Sequence, residues 1–317
     1  MAKIPAPITG LGLGFASLGS LTLNFSSIAG NMLGILAAFI LLIYLSKIIL
    51  NFPAFVQDLK HPVYSSTLPT YSMAWMILAT YVGRINLTAG TILWISAVFF
   101  HILLLISFLF NTFKKFNFQN WIPSYFIPPV GIIVACVSGG MFNFPLMCEI
   151  VFYFGFINYL IILACVLLRL KLGEIPTPKK PTIAILAAPA SLCLTGYFSL
   201  TTIINPIFIY ILAPLSFLMI LVVYALLFKL LRLKFNPGFS AYTFPLVISA
   251  IAMLKFAEFL TNSGNNWGGF VWVIGLIEYG ITSLVVTYVG IRYLLYYLIL
   301  SKNFKREEIC RQILEID

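Results

Sequence analysis

Apolar runs dominate this chain, and charges, Pro, Asn and Gly interrupt them at nearly regular intervals. Runs near 5–24, 28–50, 66–83, 89–113, 122–140, 145–169, 181–201, 206–231, 239–257 and 268–300 are each long enough for a membrane span, at about 20 apolar residues per crossing. The pattern therefore predicts ten transmembrane helices. Odd runs are rich in small and polar residues and Pro, as in PAPITGLGLGFASLGSLTL and PTIAILAAPASLCLTGYFSL. Even runs are longer and bulkier, as in LGILAAFILLIYL and FFHILLLISFLF. Small residues let backbones pack closely or border water, whereas bulky aliphatic and aromatic faces suit lipid. The odd spans are expected inside and the even ones outside.

A repeat underlies this alternation. One proline from each odd run, Pro7, Pro69, Pro129, Pro189 and Pro245, recurs at intervals of roughly 60 residues. Proline removes an intrahelical hydrogen bond and bends or breaks a helix. Five kinked inner helices, each followed by a straighter outer one, predict five helical hairpins in quasi-five-fold array around a central pore. Residues 1–300 would form that all-α integral membrane domain. Residues 301–317, with an apolar stripe of Ile309, Ile313 and Leu314, read as a short amphipathic tail.

Composition agrees: 61% of the 317 residues are hydrophobic and 9% charged, with a mean hydropathy of +1.04, so polar surface cannot enclose such a core. The excess of 19 Lys and Arg over 9 Asp and Glu serves topology. With ten spans, only Arg84 and Lys255 fall on the side opposite the termini, which predicts both termini in the cytoplasm of a multi-pass protein of the plasma or inner membrane. No nucleic-acid partner is needed to explain the charge. The N-terminal MAKIPAPITG lacks the Leu-rich core of a removable signal, so the first span is expected to be retained.

Little chemistry is on offer beyond this. Five scattered cysteines read as small buried hydrophobes. His61 and His101 lie on different elements, so no metal or other cofactor is expected. GLGLG at 10–14 has neither the preceding strand nor the following acid of a dinucleotide loop. No Ser/Cys–His or paired-acid constellation suggests an enzyme. Lys255 and Glu258 at the outer end of the ninth span, and the intramembrane Glu278 and His101, are candidate polar modulators. An inner lining without carboxylates suits small anions better than cations.

The chain resembles the tellurite-resistance/dicarboxylate transporter family, which includes bacterial tellurite-resistance protein A homologues and the plant guard-cell slow anion channels. The likeness rests on PITGLGLGFASLG, HPVYSSTLP, PTIAILAAPASL and NPGFSAYTFPLVISAIAMLKFAEF. It implies a homotrimer with a separate pore in each protomer. By the match of AYTFPL it implies that Phe244 plugs the pore, and by the match of GLGLGFA that Gly10, with Gly14, forms the facing wall. The implied function is passive conduction of small inorganic or organic anions such as chloride or nitrate. The alternative is a secondary carrier for dicarboxylate, sulfite or tellurite-related anions, which would use Glu278 or His101 for coupling.

Overall fold

The computed structural model describes residues 4–114, 118, 121–200 and 205–314, with side chains as far as residue 299. Among the described residues every regular element is helical. In chain order these are α1 (Ile8–Thr22), α2 (Ser27–Leu50), α3 (Phe52–Lys60), α4 (Pro62–Thr67), α5 (Pro69–Ile85) and α6 (Leu87–Lys114). There follow α7 (Ile127–Val130), α8 (Val134–Gly139), α9 (Pro145–Lys171), α10 (Ala188–Tyr197), α11 (Pro206–Leu231), α12 (Phe244–Asn262) and α13 (Gly268–Leu314). Among the described residues six stretches are long and apolar enough to cross a bilayer: α2, α6, α9, α11, 237–262 and the first 32 residues of α13.

Local chemistry explains where the outer helices begin. The Ser26 hydroxyl accepts from the Ala29 amide at the start of α2, Asn86 from Ala89 at α6, and Asn205 from Ile207 at α11. Pro145 and Pro206 occupy first-turn positions of α9 and α11, where no N–H is required. At their far ends Lys47, Lys114, Arg169, Lys171 and Lys229 face the negative pole of the helix dipole.

The inner segments are interrupted where continuous kinked helices were expected. A 3₁₀ run, Thr177–Ala187, precedes α10, and another, Pro237–Tyr242, precedes α12. The fifth segment alternates 3₁₀ and α geometry from Pro123 to Gly139. Pro69, Pro189 and Pro245 stand in the first turns of α5, α10 and α12, Pro7 caps α1, and Pro129 lies inside the one-turn α7. Proline cannot extend a helix from its N-terminal side, because its ring meets the carbonyl four residues back. It readily starts one. Pro69, Pro189 and Pro245 therefore begin new helices instead of bending old ones.

Packing separates the two sets. All ten residues of α10 are buried, as is every residue of α1 except Ser20. Of the most apolar stretch in each outer helix, only 33% is buried in α2, 39% in α6, 33% in α9, 33% in α11 and 28% in α13, against 67% in 237–262. Ile35, Phe39, Ile106, Phe110, Ile157 and Leu218 are among the large apolar side chains turned outward. Each inner helix packs on the outer helix that follows it: α1 on α2, α5 on α6, α8 on α9, α10 on α11, α12 on α13. The inner helices also touch in sequence, α1–α5–α8–α10–α12, and α12 returns to α1. The helix of α13 runs on to Leu314; the side chains of Ile309, Cys310, Ile313 and Leu314 lie outside the described set.

Candidate functional site

All five inner segments contribute to one cavity of about 380 Å³. Pro7 and Gly10 come from α1, Thr67 from α4, Thr70 and Met73 from α5, and Phe126, Val130 and Gly131 from the fifth segment. The seventh supplies Thr182, Ile185, Ala188, Pro189 and Leu192, and the ninth Ser240, Ala241, Phe244 and Pro245. Its rim adds His61, Tyr64, Lys179 and Asn236. No Asp or Glu is among these lining residues. Hydroxyls of Thr67, Thr70, Thr182 and Ser240 are the polar groups of an otherwise apolar wall.

Small residues make the wall thin. A Cβ at Gly10 would lie 3.1 Å from Ser240 Oγ, and one at Gly131 would lie 2.6 Å from the Met73 sulfur. A Cβ at Gly14 would collide with the Thr243 side chain. Thr243 Oγ1 donates to the carbonyls of Gly10 (3.0 Å) and Ser240 (2.7 Å), tying α1 to the residue that precedes Phe244. The aromatic ring of Phe244 is buried, with 7% of the residue exposed, on the cavity wall.

Of the residues singled out from sequence, Phe244, Gly10, Pro7, Pro189 and Pro245 meet at this cavity. Pro69 and Pro129 are represented there by their neighbours Thr70 and Val130, and Gly14 lies behind the lining against Thr243. The four polar candidates sit elsewhere. Lys255 Nζ is 3.3 Å from Ser199 Oγ, at the far end of α10 from the cavity, and Glu258 is exposed. His101 is buried on α6; its Nε2 is 2.8 Å from the Pro128 carbonyl and its Nδ1 3.0 Å from Ser72 Oγ. Pro128 O belongs to the broken fifth segment, so His101 ties α6 to irregular backbone at membrane depth. Glu278 is buried on α13 and accepts from Ser249 at 2.9 Å.

Two arrangements were not visible from sequence. Lys47, counted there only as a topology marker, is 2% exposed; it pairs with Asp58 at 2.5 Å and donates to the Ile4 carbonyl at 2.7 Å, while the Tyr44 hydroxyl donates to Asp58. The knot fastens the N-terminal strand of chain to α2 and α3. At the rim, His61 Nδ1 caps α4 by accepting from the Tyr64 amide, and its ring stacks on Tyr64 with centroids 4.3 Å apart. Burial and then the Lys179 charge hold the His61 imidazole below its ordinary pKa. The HP pair opening HPVYSSTLP was the available signal for that cap.

Short buried helices closed around a cavity, and jacketed by helices with apolar outer faces, define a multi-pass membrane protein of the transport class. The chain belongs to the voltage-dependent anion channel family, whose sequence profile matches residues 9–294. It is also similar to two uncharacterized transporters of Methanocaldococcus jannaschii. One is 27% identical over 257 residues, covering 70% of this chain and 75% of the relative; the other is 26% identical over 257 residues, covering 70% and 74%.

Proposed function

We propose that this protein is an anion channel whose pore passes through the five-segment cavity and is gated by Phe244. In this reading the helices form ten crossings, arranged as five hairpins in quasi-five-fold array, and the protein is a trimer in the plasma or inner membrane with both termini in the cytoplasm. The observation that carries it is the cavity itself: five inner segments converge on a wall without carboxylates, with Lys179 and His61 at its rim. Cations find no charged ligand there, while hydroxyls, backbone dipoles and the basic rim attract anions. Phe244 fits the gate because a ring of this size on a narrow apolar passage excludes water, and moving it aside wets the passage. Gly10 fits the facing wall by leaving room at the level of Ser240.

Coupled carriage of a dicarboxylate, sulfite or tellurite-related anion would call for a titratable group inside the cavity. Glu278 and His101 are not among its lining residues, and the titratable side chains that are, His61 and Lys179, stand at its rim and not in its depth, which favours the channel. The test is Phe244→Ala in planar bilayers. The variant should carry a large anion current where the parent is nearly silent, and reversal potentials should rank weakly hydrated nitrate above chloride, with dicarboxylates and monovalent cations excluded. A silent variant, or a cation-selective one, would defeat the reading.

A further inference from the structure

Glu278 poses a problem that the pore does not solve. Only 2% of it is exposed, and among the described residues it has no ion-pair partner. Ser249 Oγ donates to Oε2 at 2.9 Å, yet Oε1 is buried with no hydrogen-bond partner. Two more buried oxygens nearby are equally unpaired. One is Thr282 Oγ1, one helical turn along the same face of α13, in a residue with no exposed surface; the other is the hydroxyl of Tyr224 on α11, a helix that packs on α12. A helical Ser or Thr normally donates to the carbonyl four residues back, as Thr22, Thr261 and Ser283 do here. Thr282 does not, so its hydroxyl is left for something else.

Buried polar atoms without partners are costly, and a carboxylate without a counter-charge at membrane depth is costlier still. Three occupants can be compared. A proton on Glu278 cancels the charge and turns one carboxyl oxygen into a donor, but that single O–H serves only one of the two hydroxyls. A water bonds the hydroxyls but leaves the charge. A small monovalent cation does both, since hydroxyl oxygens and a carboxylate are the hard donors that alkali ions take. One carboxylate balances one positive charge, whereas calcium sites gather several.

We propose that Glu278, Ser249, Thr282 and Tyr224 form a binding site for a sodium-sized monovalent cation, held between α11, α12 and α13 and reaching the outlying hydroxyl through water. The site pins α12 from outside the cavity, five residues beyond Phe244, and does not depend on Phe244 being a gate.

The test is thermal unfolding of the purified full-length chain in detergent, with sodium chloride exchanged stepwise for choline chloride at constant ionic strength. A ligand that binds only the folded state raises the midpoint with concentration. The parent should show a saturable rise with sodium, Glu278→Gln should lose it, and Thr282→Val should need roughly tenfold more sodium for half the rise. Should Glu278→Gln not fold, Thr282→Val and Tyr224→Phe carry the comparison. A midpoint indifferent to sodium, a rise that survives in Glu278→Gln, or a shift produced by acid alone with none from sodium would each overturn the proposal. The measurement needs no current, so its failure and a failed Phe244→Ala recording are told apart.

Discussion

Gly14→Ala adds one methyl group at the point where α1 meets the residue before Phe244. The added Cβ would overlap the Cβ and Oγ1 of Thr243, both parts of a side chain with little freedom to retreat. Its hydroxyl is committed to the Gly10 and Ser240 carbonyls at 3.0 and 2.7 Å, and Thr243 itself is fully buried. Overpacking a close contact costs about 1–3 kcal/mol, and losing the hydroxyl's bonds adds about 1 kcal/mol. A total near 2–4 kcal/mol is therefore expected in unfolding experiments on the detergent-purified protein. Displacing Thr243 also displaces the start of α12, so basal anion current should rise together with the loss of stability. Thr243→Gly removes the atoms in collision. In that background Gly14→Ala should cost under about 1 kcal/mol, the remainder being the coupling energy of the pair. An equal loss in both backgrounds, or no loss in either, would show that the contact does not position the segment.

The other expectations are narrower. Asp58→Ala strands the buried Lys47 ammonium on the Ile4 carbonyl, which should cost about 3–5 kcal/mol, while the paired change Lys47→Met with Asp58→Leu should recover most of it; chemical denaturation of the two variants decides, and a double variant no better than the single one refutes the pairing argument. Because burial and Lys179 hold His61 below its usual 6.5, it is neutral at pH 7 and gains its charge only on acidification. Anion current in the Phe244→Ala background should thus stay flat around neutrality, grow only as the pH falls below about 6.5, and stay level in His61→Gln. An acid-induced rise of the same size in both would place the titrating group elsewhere.

Much of this architecture is written in residue type. Small residues and prolines recur in every second run, and those runs are the buried ones, because lipid rewards bulk outside and close backbone approach inside. The meeting of Pro7, Gly10, Pro189, Phe244 and Pro245 at one cavity follows from the same alternation. Breaks were harder to read. PTIAILAAPASL and IPSYFIPPVG are apolar enough for continuous helices, and whether proline bends or restarts a helix depends on tertiary partners that receive the irregular backbone, as His101 does for the Pro128 carbonyl. The partners of Gly10 and Gly14 were illegible too. Ser240 and Thr243 lie more than two hundred residues away along the chain, and nothing local in SAYTF marks them as the residues facing α1. Lys47 and Asp58 sit on successive helices amid other polar residues, with no periodicity to distinguish a buried pair from solvated ends.

The outer helices are longer than the membrane they meet. At about 1.5 Å per residue, the 24 residues of α2 and the 28 of α6 extend roughly 36 and 42 Å, against a hydrocarbon core of about 30 Å. Such helices can lean, and while packing against their neighbours sets the angle, the thickness of the surrounding hydrocarbon biases it. Since α2 grips α1 and α6 grips α5, thinner or thicker lipid should reorient the jacket and carry the inner helices with it, making bilayer composition a mechanical input to the protein.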